Sequence, residues 1–62
     1  MSNLVLSRRI GEKVMISDKE NGLEVILTIV GINRNQVKLS LIAPLSVNIH
    51  REEIHNKIHN LG

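Results

Sequence analysis

No cysteine occurs among the 62 residues of this chain, and that absence constrains its fold more than any other feature. A domain so short buries only about 60% of the surface its unfolded chain exposes. Such domains usually lean on disulfides, a metal or a partner subunit. Without cysteine, disulfides and cysteine-ligated zinc are both excluded. Yet 42% of the residues are hydrophobic, chiefly Val, Ile and Leu. That much apolar side chain on so short a chain points to burial between subunits, and a homodimer is expected.

The sequence also lacks Phe, Tyr and Trp. Proteins that hold single-stranded nucleic acid without sequence preference commonly stack bases on aromatic rings. If this chain binds RNA, it reads bases through hydrogen bonds and aliphatic contacts instead. Its formal net charge of +2 permits a polyanionic partner without requiring one, so the placement of the cations matters more than their sum. No apolar run reaches the length of a membrane span. Leu4-Val5-Leu6 ahead of Arg8 and Arg9 is too short for a signal peptide, and a cytoplasmic protein with no membrane partner is expected.

Short runs of β-branched residues and leucine, broken by turn residues, fill the first fifty positions. The expected strands are residues 4–8, 13–17, 23–31, 36–42 and 46–50, within one domain spanning residues 1–62. Gly11 punctuates the first gap, and Asn21-Gly22 marks a hairpin because both residues tolerate positive φ. In the long third run, Leu23, Val25, Leu27 and Ile29 share one face and Glu24, Ile26, Thr28 and Val30 the other, with Gly31 ending it. Val37, Leu39 and Leu41 alternate with Lys38 and Ser40, until Ala43-Pro44 stops the ladder. From Arg51 the spacing changes: Ile54, Ile58 and Leu61 recur at helical intervals, predicting a helix over 51–60. The fold class is mainly β, with five short antiparallel strands and a short C-terminal helix. Strand edges left open in so small a sheet invite pairing with another chain, so an intertwined, strand-exchanged homodimer is expected.

Few residues could carry chemistry. Arg8 and Arg9 form either a solvated turn or a contact to phosphate and guanine, for which a guanidinium offers a fixed donor fork. Arg51 either pairs with Glu12 or Glu52, or joins the other arginines through a tertiary or dimer contact. His55 and His59 share a helix face, but no third ligand stands beside them and no HExxH pattern occurs; surface histidines, with no metal and no cofactor, are the expectation. Glu52 and Glu53 diverge at adjacent helical positions. There is no phosphate loop and no nucleophile elbow, so an enzyme is not expected.

The block Leu4-Val5-Leu6-Ser7-Arg8-Arg9-Ile10-Gly11-Glu12 resembles the opening of the carbon storage regulator family, the CsrA/RsmA translational regulators. Asn35-Gln36-Val37-Lys38, then Ala43-Pro44, then Ile49-His50-Arg51-Glu52-Glu53-Ile54 follow in that family's order and extend the likeness over nearly the whole chain. The resemblance implies a homodimer of five-stranded protomers in which the first strand of one lies beside the last strand of the other. Arg8 of one chain would then approach Arg51 of its partner. It further implies binding of GGA-containing loops in mRNA leaders, with repression of translation over the ribosome-binding site, altered message stability, and titration by small regulatory RNAs. Leu6, Ala43, Val47 and Ile49 would supply aliphatic packing, Arg8, Arg9 and Arg51 charge-assisted bonds, and Ser7, Gln36 and His50 the periphery, with Pro44 also among the RNA-binding residues.

The chain departs from the family's pattern at several points. An extra stretch near Lys19 to Leu23 lengthens one loop, and two additional residues precede the first block. Ile42 stands in place of Asn, Leu45 in place of Lys, Ser40 in place of Gly and His55 in place of Tyr. The loss of the lysine at position 45 motivates a second reading, a protein-interaction module that heterodimerises with or antagonises another member of the family. RNA and the chain itself are the expected partners, with a protein antagonist possible and DNA not expected.

Overall fold

Alternation along the chain gives three of the expected strands. In this computed structural model, which describes residues 1–59, they are β1 (Lys13–Asp18), β2 (Leu23–Asn33) and β3 (Gln36–Ile42), followed by the helix α1 (Glu52–His59). They form an antiparallel meander in the order β1-β2-β3, so β1 and β3 are both edges. The register aligns Ile16 with Val25 and Leu27 with both Val14 and Leu41. Because successive side chains alternate, Val14, Ile16, Leu23, Val25, Leu27, Ile29, Leu39 and Leu41 share one face. The other face carries Lys13, Thr28 and Ser40 in one cross-strand row and Met15, Ile26 and Ile42 in the next.

β2 runs past the expected stop at Gly31. The register shifts between Ile29, opposite Leu39, and Gly31, opposite Lys38, leaving Val30 as the extra residue of a β-bulge. The bulge resets the alternation, so Ile32, opposite Val37, rejoins the apolar face. The Lys38 stem lies over Gly31, 3.7 Å from where a Cβ would stand, an ordinary packing distance.

The turns also differ from the simplest expectation. Asn21-Gly22 does close a hairpin, but Asp18 pairs with Leu23, so the loop has four residues and only Gly22 takes positive φ, at +64°. Asp18 organises it, accepting the Glu20 amide at 3.1 Å and Asn21 Nδ2 at 2.7 Å. Between β2 and β3 the loop is Arg34-Asn35, with Arg34 at φ +51°, a left-handed conformation that costs a non-glycine residue roughly 1–2 kcal/mol.

The expected strands 4–8 and 46–50 are not strands in the single chain. A strand exists only when a neighbour completes its ladder, and neither segment has one here. Residues 44–47 instead form a turn, closed by the Val47 amide donating to the Pro44 carbonyl at 2.9 Å. The helix begins one residue later than expected, at Glu52. The amides of Ile54 and His55 donate to the Arg51 carbonyl at 3.0 and 2.9 Å, making Arg51 the residue that caps the helix with its backbone. Glu52 and Glu53 place negative charge in the first turn, where the helix dipole favours it. Position 60 and the side chains of Ile58 and Leu61 lie outside the described residues. Within these bounds α1 packs on none of the three strands.

The core is correspondingly thin. Val25 alone is buried among the described residues, at 7% exposure, while Ile16, Ile32, Val37, Leu39 and Leu41 on the same face stay between 39% and 55% exposed. A folded monomer of 7.0 kDa exposes about 4,000 Å², yet this chain exposes 6077 Å². Its Cα radius of gyration, 13.8 Å, likewise exceeds the roughly 10.6 Å of a compact domain of this length.

Candidate nucleic-acid interface

The first cluster of candidate residues is built by one turn. The Glu12 amide donates to the Arg9 carbonyl at 3.0 Å, and Gly11 between them has φ +88°, as a type II turn requires at its third position. Gly11 N–H then donates to the Ile29 carbonyl at 2.7 Å, and Ile29 N–H to the Glu12 carbonyl at 3.1 Å. Gly11 and Glu12 thus both face Ile29, a glycine bulge of the kind that re-aims a strand at its end. Gly11 was legible in the sequence only as punctuation; it is the hinge that sends residues 1–10 off the edge of the sheet.

Glu12 secures the arginines around that turn. Its Oε1 accepts the Arg9 amide at 2.6 Å and pairs with Arg8 Nη2 at 3.4 Å. Arg8 also donates through Nη1 to the Lys13 carbonyl at 3.3 Å and through Nε to the Ser7 carbonyl at 3.1 Å. The guanidinium is therefore positioned, yet the Arg8 and Glu12 side chains remain 37% and 40% exposed. An ion pair so open to solvent holds the group by no more than about 1 kcal/mol, little enough for a phosphate or base to compete.

Ala43, Pro44, Val47, Ile49, His50 and Arg51 form a second cluster, in the run from β3 to α1. Ala43 and Val47 are half-buried, and Leu45 projects fully from the turn between them. Arg51 pairs with Glu53, with side chains 83% and 59% exposed; the sequence offered Glu12 or Glu52 as its partner, and the structure uses neither. Gln36 opens β3 opposite Asn33 at the hairpin end. Leu6 and Ile49 are similarly exposed, at 45% and 44%. Among the described residues, no hydrogen bond or ion pair joins the residue 6–9 cluster to the residue 43–51 cluster within one chain. Lys13, which helps position Arg8, was not singled out from sequence, and Glu12 was named only as a partner for Arg51; the signal for its pairing with Arg8 was their i, i+4 spacing across a glycine.

The described residues form no pocket and no group of three or more His, Asp or Glu able to hold a metal. Among the described residues, no helix is long and apolar enough to cross a membrane.

A three-stranded sheet with open edges, flanked by two arginine-bearing arms, defines a small β-rich protein. Residues 3–60 match the model of the CsrA family, described as a global regulator protein family. The chain belongs to that family of global regulators.

Proposed function

We propose that the chain is a post-transcriptional regulator that binds GGA-containing loops in mRNA leaders. It represses translation by covering the ribosome-binding site and alters message stability, in the cytoplasm and without catalysis. The observation that carries this reading is the pair of exposed arginine arms, Arg8-Arg9 and Arg51, attached to a family frame that spans residues 3–60. Loop nucleotides expose their Watson–Crick edges, and backbone groups beside a guanidinium can read them with no aromatic ring.

In this reading the working unit is a homodimer, with residues 4–8 of one protomer beside residues 46–50 of the other, giving five strands per protomer and two equal sites. The surplus exposure supports it. Roughly 2,000 Å² per chain beyond a compact monomer corresponds to about 4,000 Å² buried by a pair, within the range of obligate dimers. Two sites per dimer could engage two motifs on one RNA and gain avidity through effective concentration.

A gel-shift titration with a GGA hairpin tests the reading. Binding by the parent, weakened about 1–3 kcal/mol per site in Arg51→Ala, is expected; equal binding by both removes Arg51 from the site. A second reading, a module that heterodimerises with or antagonises another family member, is favoured by Leu45, which stands fully exposed. Co-purification with a relative in the absence of RNA, together with no GGA affinity, would select it.

A further inference from the structure

We propose that Asn21 is a site of spontaneous covalent modification, its side-chain amide converted to aspartate and isoaspartate by the neighbouring Gly22 backbone nitrogen. Asn21 is exposed at the tip of the β1–β2 hairpin. The Gly22 amide makes no hydrogen bond among the described residues, so its nitrogen is not tied to the ladder that begins at Leu23. Apart from its chain neighbours, nothing lies within 4 Å of the place a Gly22 Cβ would take. Asn3, Asn33, Asn35, Asn48, Asn56 and Asn60 are each followed by a residue with a side chain.

The chemistry needs only water. The Gly22 nitrogen loses its proton to solvent base and adds to Asn21 Cγ; the Cγ–Nδ2 bond breaks and ammonia leaves, closing a succinimide ring. Water opening the ring at Cγ gives aspartate in a normal backbone. Opening at the main-chain carbonyl gives isoaspartate, with the backbone now running through the former side chain.

The product harms the loop that holds it. Asn21 Nδ2 donates to Asp18 Oδ2 at 2.7 Å, and a carboxylate in its place offers only acceptors against a like charge that also holds the Glu20 amide. Isoaspartate lengthens the backbone between Asp18 and Leu23, whose pairing the loop closes. Modification therefore loosens the hairpin.

The test is to age the intact protein at mildly alkaline pH, then digest it and locate the mass gain of an NH-to-O exchange by tandem mass spectrometry, with isoaspartate methyltransferase labelling. Asn21 should convert first, mostly to isoaspartate, while the other asparagines remain intact, and Gly22→Ala should slow it several-fold. Because alanine at positive φ is strained, the same comparison in urea separates the chemistry from folding. Asn21→Asp should lower the urea midpoint and Asn21→Ser, which keeps a donor, should not. Conversion at another asparagine first, or an Asn21→Asp midpoint equal to the parent's, would overturn the proposal.

Discussion

Between Lys13 and Ile42 every strand finds its partner one turn away in the sequence, whereas residues 4–8 and 46–50 find none among the described residues of the same chain. The meander needs only local information: alternation, two hairpin loops and a bulge. The arms carry similar β-branched and leucine residues and much of the arginine that recognition would use. A segment's pattern can thus specify a strand while its own chain withholds the neighbour that makes it one. The division also separates the shared apolar face, which the meander carries, from Arg8, Arg9 and Arg51, which lie on or beside the arms.

The largest expected effect comes from the apolar face of the meander. If a second subunit covers it, Leu39→Asp buries an unpaired charge and costs several kcal/mol; if Leu39 stays 48% exposed as in the single chain, the change stays within about 0.5 kcal/mol. Urea unfolding followed by circular dichroism distinguishes the two, and loss of the cooperative transition is expected.

A second contrast separates recognition from folding in the arms. Arg51→Ala, which the proposed function expects to weaken RNA binding, should move the unfolding free energy by less than about 0.5 kcal/mol, because its pair with Glu53 is open to solvent. A comparable loss in both measurements would place Arg51 in the fold.

The joint between arm and meander is Gly11. At φ +88°, Gly11→Ala should cost about 1–2 kcal/mol, read from the urea midpoint, although nothing crowds the new Cβ. An unchanged midpoint would mean the turn is not needed to launch the arm. The smallest effect is a gain inside the meander: Arg34→Gly relieves a left-handed residue and should stabilise by about 0.5–1 kcal/mol after the added chain entropy of glycine. A lower melting temperature would show that the Arg34 side chain stabilises the hairpin by more than its backbone conformation costs.

The same division explains what was legible in the sequence. The strand over 36–42 matches in full, and 13–17 and 23–31 extend by one and two residues, because alternation and turn residues are local signals. Gly31 looked like a stop, since a bulge at Val30 changes the phase of the pattern in a way periodicity alone does not reveal. Asn21-Gly22 marked the hairpin correctly but not its four-residue loop, which depends on Asp18 reaching across it. The ion pairs were the least legible: Arg8 takes Glu12 because a glycine turn folds them together, leaving Arg51 to Glu53. As for residues 4–8 and 46–50, their pattern fits strands, and pairing is a property of more than one segment.

Sedimentation equilibrium on the purified chain, across micromolar concentrations and without RNA, bears most directly on whether the arms complete their ladder in a second molecule. A single species of twice the 7.0 kDa chain mass, with unfolding that shifts with protein concentration, is expected. A well-folded 7.0 kDa species with a concentration-independent midpoint would contradict it.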